Sequence, residues 1–166
     1  MPRHWVVVSV CASVLLVGLV AATPAAALGA GGPAHVAFVC TSPAPDVSGV
    51  VKDWAAGRTE HIRGWTATYT STGDPLCAGI VSIVANIEVT PGRGGIEGTV
   101  VYDLAGVDGG WTGTFHQVWA FPSELTSGRE VARGFGALAG WQLRAVLSEA
   151  LDGTITETDE AFAPGA

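Results

Sequence analysis

The chain carries little charge and almost no lysine. Charged residues make up 14% of its 166 residues, Lys52 is the sole lysine, and eight basic side chains face fifteen acidic ones for a net charge of −7. This scarcity of basic groups excludes the positive patch that nucleic acid or an anionic membrane surface needs. Chemistry-bearing motifs are also missing. There is no GxSxG, no HExxH and no P-loop. Gly134-Phe135-Gly136 with Gly140 has the wrong spacing for a dinucleotide fingerprint, and no βαβ pattern surrounds it. No cofactor is therefore expected. His35, His61 and His116 fall in separate segments, without metal-ligand spacing.

What is present begins with a leader. Met1-Pro2-Arg3-His4 is basic, Trp5 to Ala22 is apolar apart from Ser9 and Ser13, and Ala25-Ala26-Ala27 supplies a small-residue site. Basic, apolar, then A-x-A is the order of a secretory signal peptide. Residues 1–27 are read as that leader, with a retained membrane anchor as the rival reading. Residues 28–34 are read as a flexible start, 35–160 as one domain and 161–166 as a tail. No stable membrane association is expected once the leader is cleaved, and the location expected is extracellular. The shortage of lysine, with much Ala, Gly and Val, fits a GC-rich bacterial genome. Cleavage leaves Cys40 and Cys77, an even pair in an oxidising compartment, and a disulfide between them is expected.

The body of the chain alternates with period two, which is the pattern of half-buried strands. Arg63, Trp65, Ala67 and Tyr69 oppose Ile62, Gly64, Thr66 and Thr68. Ile96, Gly98, Val100, Tyr102 and Leu104 oppose Glu97, Thr99, Val101 and Asp103. Trp111, Gly113, Phe115, Gln117, Trp119 and Phe121 oppose Thr112, Thr114, His116, Val118 and Ala120. Further strands are read at 35–39, 47–54, 76–90 (bent at Gly79), 141–148 and 154–158. Residues 122–128 are read as a polar loop, and the turns fall at Gly- and Asp-rich sites such as Asp108-Gly109-Gly110. Residues 131–150 contain helix formers, but glycines at 134, 136 and 140 each cost about 1 kcal/mol in a helix interior, so strands and bends are favoured there. About eight strands with short turns predict an all-β fold, a single small antiparallel β-barrel whose closure removes exposed edges.

Gly95-Ile96-Glu97-Gly98, Trp111-Thr112-Gly113-Thr114-Phe115, Gly134-x-Gly136-x-Leu138-x-Gly140 and Asp152-Gly153-Thr154-Ile155 carry a family resemblance. Over residues 94–153 the chain resembles the allene oxide cyclase and dirigent-like barrel group, which has many secreted bacterial members. The resemblance implies an eight-stranded antiparallel barrel with an apolar interior. It transfers no catalytic residue, because its motifs are glycine and aromatic and specify backbone geometry.

The candidate site residues are therefore aromatic, with few polar partners. Trp65, Tyr69, Tyr102, Trp111 and Trp119, with His116 and Arg133, are the candidate ligand-binding set. Such aromatics either fill a small barrel, the favoured reading, or line an apolar cavity. Glu157, Asp159 and Glu160 are read as a solvated acidic tail rather than a calcium site, since no EF-hand spacing is present. No metal is expected. The leading expectation is a non-enzymatic barrel that takes a small hydrophobic ligand or a protein partner. The alternatives are an isomerase or cyclase using His116, Arg133 or Glu97 in the cavity, and an assembly protein acting as an oligomer.

Overall fold

The computed structural model describes residues 34–120 and 126–165. The leader at 1–27, nearly all of 28–34 and Phe121 lie outside them. Ten strands follow in order: β1 (His35–Ser42), β2 (Asp46–Gly49), β3 (Lys52–Ala56), β4 (Thr59–Gly73), β5 (Gly79–Thr90), β6 (Arg93–Leu104), β7 (Gly109–Ala120), β8 (Thr126–Gly136), β9 (Gln142–Glu149) and β10 (Ile155–Phe162). No helix occurs among the described residues, so the glycine-rich stretch after residue 131 is strand and turn.

Alternation decides which face is buried. On β6, Ile96, Val100, Tyr102 and Leu104 are buried while Glu97, Thr99, Val101 and Asp103 are exposed. On β7, Trp111, Phe115 and Gln117 are buried while Thr112, Thr114 and His116 are exposed. Neighbours from β4 to β10 pair antiparallel in sequence order. β10 then pairs with β1 along its whole length, His35 facing Phe162 through Ser42 facing Ile155. β1 returns to β4 through Cys40 opposite Gly73 and Thr41 opposite Thr72. The sheet thus rings through eight strands and leaves no free edge within that circuit.

The β1–β4 seam is the shortest contact in the ring, and a covalent bond lies on it. Cys40 is disulfide-bonded to Cys77 in the β4–β5 connection, with Cα atoms 6.3 Å apart, a normal span for the bond. On the exposed face of the seam, the Thr72 hydroxyl donates to the Thr41 carbonyl at 3.2 Å. Past the seam, β2 and β3 continue along β4 as a hairpin arm. The arm turns at Gly57, whose φ of 65° is open to glycine at no steric cost.

Several boundaries differ from the sequence reading. Residues 47–54 are two strands, broken between Gly49 and Lys52, because β4 carries irregularities on both of its edges. The strand expected from Leu76 begins at Gly79. Leu76 and Cys77 belong to a turn in which the Asp74 carboxylate accepts from the Leu76 amide at 2.9 Å. β8 starts at Thr126, so 126–128 of the loop expected at 122–128 are strand, and 122–125 lie outside the described residues. The first two residues of the tail expected at 161–166 are the end of β10, which runs to Phe162.

The two ends of the ring differ. At one end three connections are tied together. Trp111 Nε1–H donates to the Leu76 carbonyl at 2.7 Å. The Ala105 amide donates to the Ala78 carbonyl at 2.8 Å, and the Ala137 amide to the Asp108 carbonyl at 2.8 Å. Leu76, Leu104, Trp111, Leu138 and Trp141 are buried there, each contributing about 1.5–3 kcal/mol or more by leaving water. This end is packed solid, and the other holds the cavity.

Candidate functional site

The cavity has a volume of about 430 Å³. Inward positions of β4 to β7 form its wall: Trp65, Ile83, Ile87, Ile96, Phe115 and Trp119. Pro45, Ala150, Leu151 and Ile155 add to it from turns and the start of β10. Its polar groups are Gln117 and Glu149, and the Gln117 side-chain amide donates to Glu149 Oε2 at 2.9 Å. These residues sit on β7 and β9, with β8 between them. Gly128 of β8 makes the reach possible, because a Cβ there would lie 2.9 Å from the Gln117 Cβ. Burial raises the Glu149 carboxyl above its ordinary value, and the Gln117 bond pulls it partly back.

Deeper in the ring lies a cluster of acids. Glu130 of β8 and Glu157 and Asp159 of β10 are all buried, at 3%, 0% and 1% exposure. No Lys, Arg or His is buried with them among the described residues. The Tyr102 hydroxyl lies 2.9 Å from Glu130 Oε2 and 3.0 Å from Glu157 Oε2, and the Tyr69 hydroxyl lies 3.5 Å from Glu157 Oε1. A phenol has one proton and so donates to one of the two glutamates at a time. The other short contact is a hydrogen bond only if that carboxyl keeps its own proton. The geometry therefore calls for at least one carboxyl proton on the Glu130–Tyr102–Glu157 chain beside that of the phenol.

Burial acts in the same direction. Burial, then the charge of Glu157, pushes Glu130 well above the usual carboxylate range. Burial raises Glu157 against the lowering effect of its tyrosine bonds. Asp159 is pushed up to about 8 by burial first, then by Glu157 and Asp74. Neither Asp159 oxygen has a hydrogen-bond partner among the described residues. An Asp159 oxygen and the Cys40 and Cys77 sulfurs lie within 4.8 Å of one another. The sulfurs are spent in the disulfide, so no thiolate is offered to a metal there.

The structure sorts the sequence candidates into four places. Trp65 and Trp119 line the cavity. Tyr69 and Tyr102 belong to the acid cluster, and Trp111 is fully buried at the packed end. His116 and Arg133 point outward and are exposed, as is Glu97, the register partner of His116. Period two explains this, since each sits one residue from an inward position. No protein-family model matches the chain, and no curated protein does.

Glu157 and Asp159 are a correction to the expected solvated tail. β10 is held between β1 and β9, so its alternate side chains enter the ring, while Glu160 is exposed. The signal was available in the alternation Ile155, Glu157, Asp159, Ala161. Glu130 and Glu149 escaped the sequence reading, as charged residues usually lie outside. The acid cluster and the cavity share strands. Phe115 lines the cavity and is the register partner of Glu130. Ile155 also lines it, two residues before Glu157 on the same face.

Proposed function

We propose that this chain is an exported bacterial barrel protein that binds a small apolar molecule in the open end of its ring. The observation that carries the reading is the cavity of about 430 Å³ walled by Trp65, Phe115, Trp119 and four isoleucines. Its volume lies in the range of small-molecule sites, and an apolar wall with a few placed polar groups is their usual composition. The disulfide is compatible with export. The eight-strand ring is consistent with the resemblance to the allene oxide cyclase and dirigent-like group. Binding is favoured over isomerisation because His116, Arg133 and Glu97 face solvent, and no member of the buried acid cluster is part of the cavity wall.

Titration with N-phenyl-1-naphthylamine, an uncharged apolar fluorophore, tests this. Saturable uptake at one probe per chain, with quenching of tryptophan emission by energy transfer, is expected. Ile87→Trp, which fills part of the cavity, should abolish uptake while the strand circular dichroism is kept. A non-saturating response, or equal uptake by the variant, overturns the reading.

A further inference from the structure

The cavity wall is unequal in charge. Among the described residues that line it, Glu149 is the one ionisable residue, and no Lys, Arg or His is present. From this we propose that the site selects an apolar ligand bearing an amine, anchored on the Glu149 carboxylate, and rejects carboxylate amphiphiles of the same length. The proposal rests on the binding reading above and names the ligand class of that same site.

Three observations converge on it. First, Glu149 is held in place. Its Oε2 accepts from the Gln117 amide at 2.9 Å, and the missing side chain at Gly128 lets Gln117 span β8 to reach it. A positioned carboxylate makes charge-assisted hydrogen bonds, which are stronger than neutral ones. Second, Glu149 is half-buried, and burial lifts its proton affinity. The charged form lacks solvation there, and an incoming ammonium supplies what water does not. A carboxylate ligand would instead bring a second negative charge into a wall with no cation to offset it. Third, Trp65 and Trp119 belong to the same wall, and indole faces attract cations.

The test compares ligands of one chain length: octylamine, 1-octanol and octanoate. Each displaces N-phenyl-1-naphthylamine from the chain at neutral pH in 0.5 M NaCl. At that salt, general repulsion from the net charge of −7 is screened over a few ångströms. The expected order is octylamine, then octanol, then octanoate, with octylamine tighter than octanol by on the order of tenfold. Glu149→Gln should bring the octylamine-to-octanol ratio close to one. Octanoate binding as tightly as octylamine overturns the proposal, as does a ratio that survives Glu149→Gln. Both outcomes leave the binding reading standing. If the fluorophore and all three ligands fail to bind, the binding reading itself falls, and this proposal with it.

Discussion

The Tyr102 hydroxyl shows how a single proton shapes a core. It touches two carboxyls and can serve one. Glu130, Glu157 and Asp159 all bind protons more tightly in the folded chain than in water. Between the ordinary carboxylate range near 4 and about 8 for Asp159, the folded state holds more protons than the unfolded one. Stability should therefore be fully present below that window and fall as pH rises through it, by about 1.4 kcal/mol per pH unit for each proton held. Melting temperatures measured from pH 5 to pH 8 should decline, and Asp159→Asn, which cannot ionise, should flatten the decline. A melting temperature that rises over this interval would contradict the buried, unpaired state of these acids. Sequence alone points the other way, because acidic residues near a terminus resemble a solvated tail. Only the parity of Ile155 and Ala161 marks Glu157 and Asp159 as inward.

Among elements, β4 has the most to do, pairing with β5 on one edge and with β1, β2 and β3 in succession on the other. Gly73 stands where β4 meets β1, at a φ of 125°, and a Cβ there would lie 2.7 Å from the Val39 carbonyl oxygen. Gly73→Ala combines a backbone conformation costly for L residues with a contact against main chain. It should destabilise by roughly 1–3 kcal/mol, seen as a lower urea midpoint. An unchanged midpoint would mean the seam contributes nothing to stability. Strand identity was largely legible, because one face of each strand meets solvent and the alternation of β6 and β7 records it. The same parity already set His116 opposite Trp111. What period two does not encode is partnership. That β1 closes against β10 and β4, from opposite ends of the chain, depends on contacts far apart in sequence. The break between β2 and β3 likewise answers to the irregular edge of β4 rather than to local residue preference.

For the whole molecule, the disulfide and the ring work together. Cys40 and Cys77 are 37 residues apart, and closing such a loop in the unfolded chain contributes about 2–4 kcal/mol on the chain-entropy account. Intact mass should show the oxidised chain two hydrogens lighter than the reduced one. Reduction should lower the melting temperature, with the β1 and β10 amides losing hydrogen-exchange protection before those of β6 and β7. Equal masses, or a melting temperature indifferent to reductant, would remove the bond from the account. The cavity's existence was less legible than the ring. Aromatic composition is the same for a filled barrel and a hollow one, and this barrel is filled at one end and hollow at the other.

That difference between the ends would set the route of any molecule bound as proposed. With Leu138, Trp111 and their neighbours stoppering one end, the hollow is a blind cup rather than a conduit. Under the binding reading, an occupant would enter and depart by the same mouth, so a newcomer could not push a resident out from behind. Turnover of any such guest would be paced by departure, and a cup of this kind would suit holding a guest better than passing one along.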